Sequence, residues 1–114
     1  PKGITTIRNY EPTCHVFEGF MDYLSYLILH GECDAVVLNS IVNLPNTLSI
    51  LNEYSQICCH LDNDIVGKMA TRQIMEALGA KCADASNEYG AYKDLNEYLM
   101  SKSMAFRQKG RNES

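Results

Sequence analysis

At 114 residues, 46% hydrophobic and 21% charged, the chain has material for one packed core and not for two. A net charge of −4 argues against a domain that grips nucleic acid through a broad basic surface, although clustered carboxylates that bind metal give the same balance. No basic stretch followed by an apolar run opens the sequence, and no apolar stretch reaches the roughly 20 residues of a membrane span, so a cytoplasmic protein without a membrane partner is expected.

Taken in chain order, Ile4–Tyr10 is a candidate edge strand and Cys14–Phe17 a short apolar strand that ends at Glu18-Gly19. Phe20, Tyr23, Leu24, Leu27 and Ile28 then recur at helical spacing, and Gly31 stops the helix. Ala35–Leu38 is continuously apolar, the pattern of a parallel strand covered on both faces, and Asn39-Ser40 ends it. Pro45 suits the first turn of a short helix reaching about Tyr54. The run Ile57–Leu61 ends at Asp62-Asn63-Asp64, and a helical pattern follows from about Val66 to Leu78, with Gly79 as its stop.

A weaker run, Lys81–Ala83, is a candidate fourth strand, and Asp84–Tyr92 is loop-like. Asp94-Leu95-Asn96-Glu97 has capping-box spacing and opens a last helix to about Met104. The alternation predicts an α/β fold: a compact, Rossmann-like parallel sheet of about four strands with helices on both faces. One domain is expected over residues 1–106, followed by a polar tail, 107–114, expected to be disordered. The start at Pro1-Lys2, without Met, is expected of a piece of a longer protein.

Cysteine use adds little chemistry. Cys14, Cys33, Cys58, Cys59 and Cys82 are odd in number and form no C-x-x-C pair, so buried reduced thiols are expected rather than zinc. His15 and His60 fall inside predicted strands and are expected to be packed; His30 ends a helix, where a cationic side chain is favourable. Gly67-Lys68 lacks the preceding glycine of a phosphate-binding loop, and no Ser/His/Asp or Cys/His arrangement stands out.

The acids are informative by position. Glu18 follows the first apolar strand, and Asp62 and Asp64 follow the third. Ligands of open parallel sheets collect outside the carboxyl ends of the strands. Asp62 and Asp64 are two apart, so in extended backbone they point the same way and can share one hard cation, or two with Glu18. Without a cation, carboxylates this close would resist ionising. Asp22 lies one helical turn after Glu18, and Asp94 opens the last helix on the same rim. Taken alone, Asp94 is more readily a helix cap than a ligand, and Asp22 a solvated surface acid.

Val16-Phe17-Glu18-Gly19-Phe20-Met21-Asp22 resembles the first signature of TOPRIM domains, an apolar strand ending in Glu-Gly, with the Asp that primases add. Leu61 to Ala70, with Asp62, Asp64 and Gly67, resembles the second, and Tyr92-Lys93-Asp94 resembles the Lys-Asp motif of primases. The resemblance spans about Cys14 to Leu99 and is closest to primase-like proteins of bacterial mobile elements. It implies metal-dependent nucleotidyl or phosphoryl transfer on nucleic acid, as in DNA replication. Glu18 would be general acid/base or metal ligand, Asp62 and Asp64 the Mg2+ pair (Mn2+ also suits), and Asp22 and Asp94 accessory metal-binding acids. Asn96 departs from the pattern where many primases have Asp. The implied partners are a single-stranded DNA template and nucleoside triphosphates, with a zinc-finger region upstream in the parent chain; the isolated domain is expected to be inactive. The acids alone leave open a TOPRIM nuclease, topoisomerase-type strand cleavage, or a non-catalytic accessory module.

Overall fold

Along each central strand, neighbouring side chains enter opposite apolar layers, and this alternation sets the architecture. Val16 and Val36 pack with Leu44, Leu51, Ala70 and Ile74 on one face, while Phe17, Ala35 and Val37 pack with Tyr23, Tyr89 and Leu95 on the other. In this computed structural model, which describes the backbone of residues 3–113, the elements are β1 (Thr5–Ile7), β2 (Thr13–Phe17), α1 (Phe20–His30), β3 (Asp34–Val37), α2 (Leu44–Leu51), β4 (Gln56–His60), α3 (Ile65–Leu78), β5 (Cys82–Asp84) and α4 (Leu95–Glu113). Helices α2 and α3 cover one face and α1 and α4 the other.

The sheet order is β1-β3-β2-β4-β5. Strands β2 to β5 are mutually parallel, as expected, and the candidate edge strand near the N-terminus is β1, antiparallel to β3. Chain leaving β2 enters α1 on one face, whereas chain leaving the adjacent β4 enters α3 on the other. A crevice therefore opens between the carboxyl ends of β2 and β4, the switch point at which such sheets bind ligands.

Several boundaries differ from expectation, among them the edge strand, which spans only Thr5–Ile7 of Ile4–Tyr10. Helix α2 stops at Leu51 instead of about Tyr54. Helix α4 continues to Glu113, past the expected end near Met104, and takes in residues read as a polar tail. Met, Ala, Arg, Gln and Lys in that stretch are good helix formers, and polarity alone does not stop a helix. Ser114 lies outside the described residues. No helix among the described residues is long and apolar enough to cross a membrane.

The strand histidines are packed, as their positions predict. His60 is buried, stacks on Phe17 at a centroid distance of 4.9 Å, and meets His15 Nδ1 through Nε2 at 2.8 Å. Burial and then the neighbouring His15 push the His60 pKa down to about 3, and burial also lowers that of His15, so the pair is neutral. All five cysteines are free, and all but the partly buried Cys58 are buried.

One buried acid is structural. Asp34, 1% exposed, opens β3 and accepts bonds from the Asn9 N–H at 2.7 Å, the Glu11 N–H at 3.2 Å and the Tyr54 hydroxyl at 2.7 Å. Burial alone would raise its pKa, but these donors outweigh it and hold the carboxyl below its ordinary value. A folded-state pKa below the unfolded one contributes stability at neutral pH that is lost as pH falls through the carboxylate range. Asp34→Ala strands three donors and is expected to cost about 3 kcal/mol, read as a lower urea midpoint at unchanged slope.

Candidate metal centre

The ladder beyond β2 and β3 places the first acid. The Leu38 N–H donates to the Phe17 carbonyl at 2.9 Å and the Asn39 N–H to the Glu18 carbonyl at 3.0 Å, so Glu18 is held as an extension of the sheet. Asn39 takes φ +61°, a left-handed conformation that Asn tolerates better than most residues, and this turns the chain away directly after that bond. Glu18 Oε1 is buried with no hydrogen-bond partner among the described residues.

Asp62 follows β4 across the crevice and is fixed from behind by α3. A Cβ on Gly67 would run into the Asp62 carbonyl oxygen and stand 2.8 Å from the Asp62 nitrogen. The glycine in the second signature therefore has a steric reason: it lets the first turn of α3 lie directly on the Asp62 backbone.

Three of the five predicted acids converge. Carboxylate oxygens of Asp22, Asp62 and Asp94 lie within 4.8 Å of one another. Asp22, 6% exposed, projects from the first turn of α1 and accepts the Asn96 N–H at 3.1 Å, which ties α1 to the start of α4. Asp94 caps α4 through the Glu97 N–H at 2.8 Å. Cap and convergence coincide, so the two readings of Asp94 are compatible. Asp64 is turned instead onto its own helix, capping α3 through the Gly67 N–H at 2.7 Å, and stands outside the close group. Extended backbone at Asp64 was expected to aim its side chain with that of Asp62; the unsatisfied N–H groups at the start of α3 draw it aside. Glu18 is also outside that group but borders it electrostatically.

The fields show how tightly the acids are gathered. Burial raises the Glu18 pKa to about 7, and the negative charges of Asp62, Asp64 and Asp22 add to the rise against a hydrogen bond from the Asp62 backbone. Burial likewise lifts Asp22 to about 6, with Asp94 and Asp62 contributing, and Asp62 is raised by burial and then by Asp94. An all-oxygen set of carboxylates that resist ionising together is the donor chemistry of a hard divalent cation.

Asn63 was not singled out by the sequence. Its backbone N–H reaches the Lys93 carbonyl at 2.6 Å, and its side-chain amide reaches the Tyr89 and Tyr92 carbonyls, each at 3.0 Å. Asn between two acids reads simply as a turn former, and nothing local signals partners 26 and 29 residues away.

Comparison with known proteins bears on the family and the fold. The profile of the family described as Toprim-like matches residues 15–99. No curated protein matches the chain. Among solved structures, the primase fragment of the bacteriophage T7 primase-helicase protein is similar with TM-score 0.66 and 22% identity, over 79% of this chain and 39% of that one. A chain in the structure of the bacteriophage T7 lagging-strand DNA polymerase interacting with primase domains of two gp4 subunits bound to an RNA/DNA hybrid and dTTP is similar with TM-score 0.63 and 21% identity, over 80% of this chain and 48% of that one. The likeness is one of fold, and this chain spans less than half the length of either.

Raised folded-state pKa values mean that the folded protein binds more protons than the unfolded one. The contribution of Asp22 and Glu18 to stability therefore falls as pH rises from the ordinary Asp and Glu values of 3.8 and 4.5 through the folded values of about 6 for Asp22 and about 7 for Glu18. In metal-free protein, Asp22→Asn, which keeps an oxygen for the Asn96 N–H, is expected to raise Tm at about pH 8 and to leave it unchanged at about pH 4. Calorimetry at the two pH values checks this, and a variant that lowers Tm at the higher pH would contradict it.

Proposed function

The chain belongs to the Toprim-like family, and on that premise we propose that it is the catalytic module of a DNA primase-type nucleotidyltransferase, joining nucleotides on a single-stranded template with the help of a divalent cation. The observation that carries this reading is the meeting of Asp22, Asp62 and Asp94 within 4.8 Å, at the switch point of the sheet and beside the unpartnered Glu18 Oε1. The primase domains in the second T7 structure are bound to an RNA/DNA hybrid and dTTP, which supports nucleic acid and nucleoside triphosphate as partner classes.

The donor set suits Mg2+ or Mn2+ and not a thiophilic metal. Asp22, Asp62 and Asp94 would hold the ion, with Glu18 and Asp64 at its margin. When bound, such an ion offsets charge on phosphate oxygens. The remaining work falls to the chain. Asp22 and Asp94, each tied to the first turn of α4, keep the carboxylates in place without reorganisation. Glu18, whose Oε1 is buried without a partner among the described residues beside this group, is placed for proton transfer. Its Oε1 would accept the proton of the attacking hydroxyl as that oxygen bonds to the α-phosphate of the incoming nucleotide and pyrophosphate leaves.

Full-length protein given Mg2+, labelled single-stranded DNA and ribonucleotides is expected to make template-directed products, and Asp62→Asn is expected to slow this by ~100-fold or more. Shortening of the DNA without added nucleotides would point to strand cleavage instead. Wild-type rates from both Glu18→Gln and Asp62→Asn would remove the catalytic reading altogether.

A further inference from the structure

We propose that Asn63, the middle residue of the Asp62-Asn63-Asp64 turn, is the positioning residue that docks the Asp94-bearing segment against Asp62 and so closes the carboxylate group. This rests on the metal-centre reading above. The segment from Ser86 to Asp94 lies beyond β5 and has no sheet ladder to hold it; it runs through a 3-10 turn at Ser86–Tyr89 before α4 begins. Two attachments bring it to the turn after β4. Tyr89, fully buried, donates its hydroxyl to the Leu61 carbonyl at 2.7 Å and anchors the far end. Asn63 holds the near end through three bonds, to the carbonyls of Tyr89, Tyr92 and Lys93, the last being the residue before Asp94.

The chemistry of this latch is specific. Both side-chain partners are carbonyl oxygens, so the amide must present its NH2 to them, and an isosteric carboxylate would set acceptor against acceptor. The latch also has an opposing force to withstand. Asp94 is among the charges that raise the Asp62 pKa, so without a cation the two carboxylates repel. Beyond Asp94, the Asn96 N–H bond to Asp22 holds the start of α4 against α1. Asp94 is thus gripped on both sides, by Asn63 before it and by Asn96 after it. With its NH2 turned to the Tyr89 and Tyr92 carbonyls, Asn63 acts through where it puts Asp94.

Amide NMR of the wild type, Asn63→Ala and Asn63→Asp, with and without Mn2+, tests the assignment. In the wild type, Mn2+ is expected to broaden the amides of Asp22, Asp62 and Asp94 together. Both variants are expected to keep broadening at Asp22 and Asp62, show less of it at Asp94, and bind Mn2+ about tenfold more weakly. Without metal, hydrogen exchange in the variants is expected to speed up at Tyr92 and Asn96, whose N–H groups are bonded in the docked segment, while Ile74 in α3 stays protected. Wild-type broadening at Asp94 together with unchanged exchange at Tyr92 and Asn96 would overturn the proposal. So would exchange that accelerates equally at Ile74, since Asn63 would then serve the fold as a whole. If Mn2+ leaves even the wild type unbroadened, the metal reading fails by itself, and the exchange pattern still decides whether Asn63 docks the segment.

Discussion

Repulsion among carboxylates is the constraint to which the rest of this structure answers. Asp22, Asp62 and Asp94 come within 4.8 Å at one rim of the sheet, beside a buried Glu18 oxygen that has no partner among the described residues. Such a group does not assemble by its own attraction. Each acid is brought there by a different element: Glu18 by the extended ladder of β2, Asp62 by the end of β4, Asp22 by α1, and Asp94 by the start of α4. The scaffold supplies the binding energy that holds like charges together, and the unfavourable field it leaves is one that a divalent cation would relieve.

Topology explains why this rim and not another. Because β2 and β4 are neighbours whose following helices go to opposite faces, the chain parts between them and leaves room at their carboxyl ends. The local fittings then have identifiable causes. Gly67 allows α3 to rest on the Asp62 backbone, Asn39 turns the chain directly after its bond to Glu18, and Asp64 and Asp94 cap the helices that flank the crevice. Asp34, more deeply buried but paired by Asn9, Glu11 and Tyr54, shows the contrast: donors surround it, its pKa is lowered, and its role is to hold β3.

Much of this was legible in the residues. Continuous apolar runs such as Ala35–Leu38 announced buried parallel strands, and the turns after them announced where Glu18 and Asp62 would stand. The side-chain partition at the site was less legible. Asp62 and Asp64 share a face only while the backbone stays extended and nothing else claims them, and the bare N–H groups of α3 claim Asp64. Asp22 and Asp94 looked like ordinary helix-start acids, and both do accept helix N–H groups while also converging on Asp62. The partners of Asn63 are remote along the chain, and a single sequence carries no sign of such pairings. The C-terminal extent of α4 is not legible, because a polar stretch of good helix formers reads as easily as a tail.

The central claim is that the convergent acids form one cation site. Anomalous diffraction from crystals of the domain soaked in Mn2+ tests it most directly. The account predicts a single strong peak between the carboxylates of Asp22, Asp62 and Asp94, close to Glu18. A peak held by Asp62 and Asp64 away from Asp22 and Asp94, or no peak at the rim at saturating Mn2+, would contradict it.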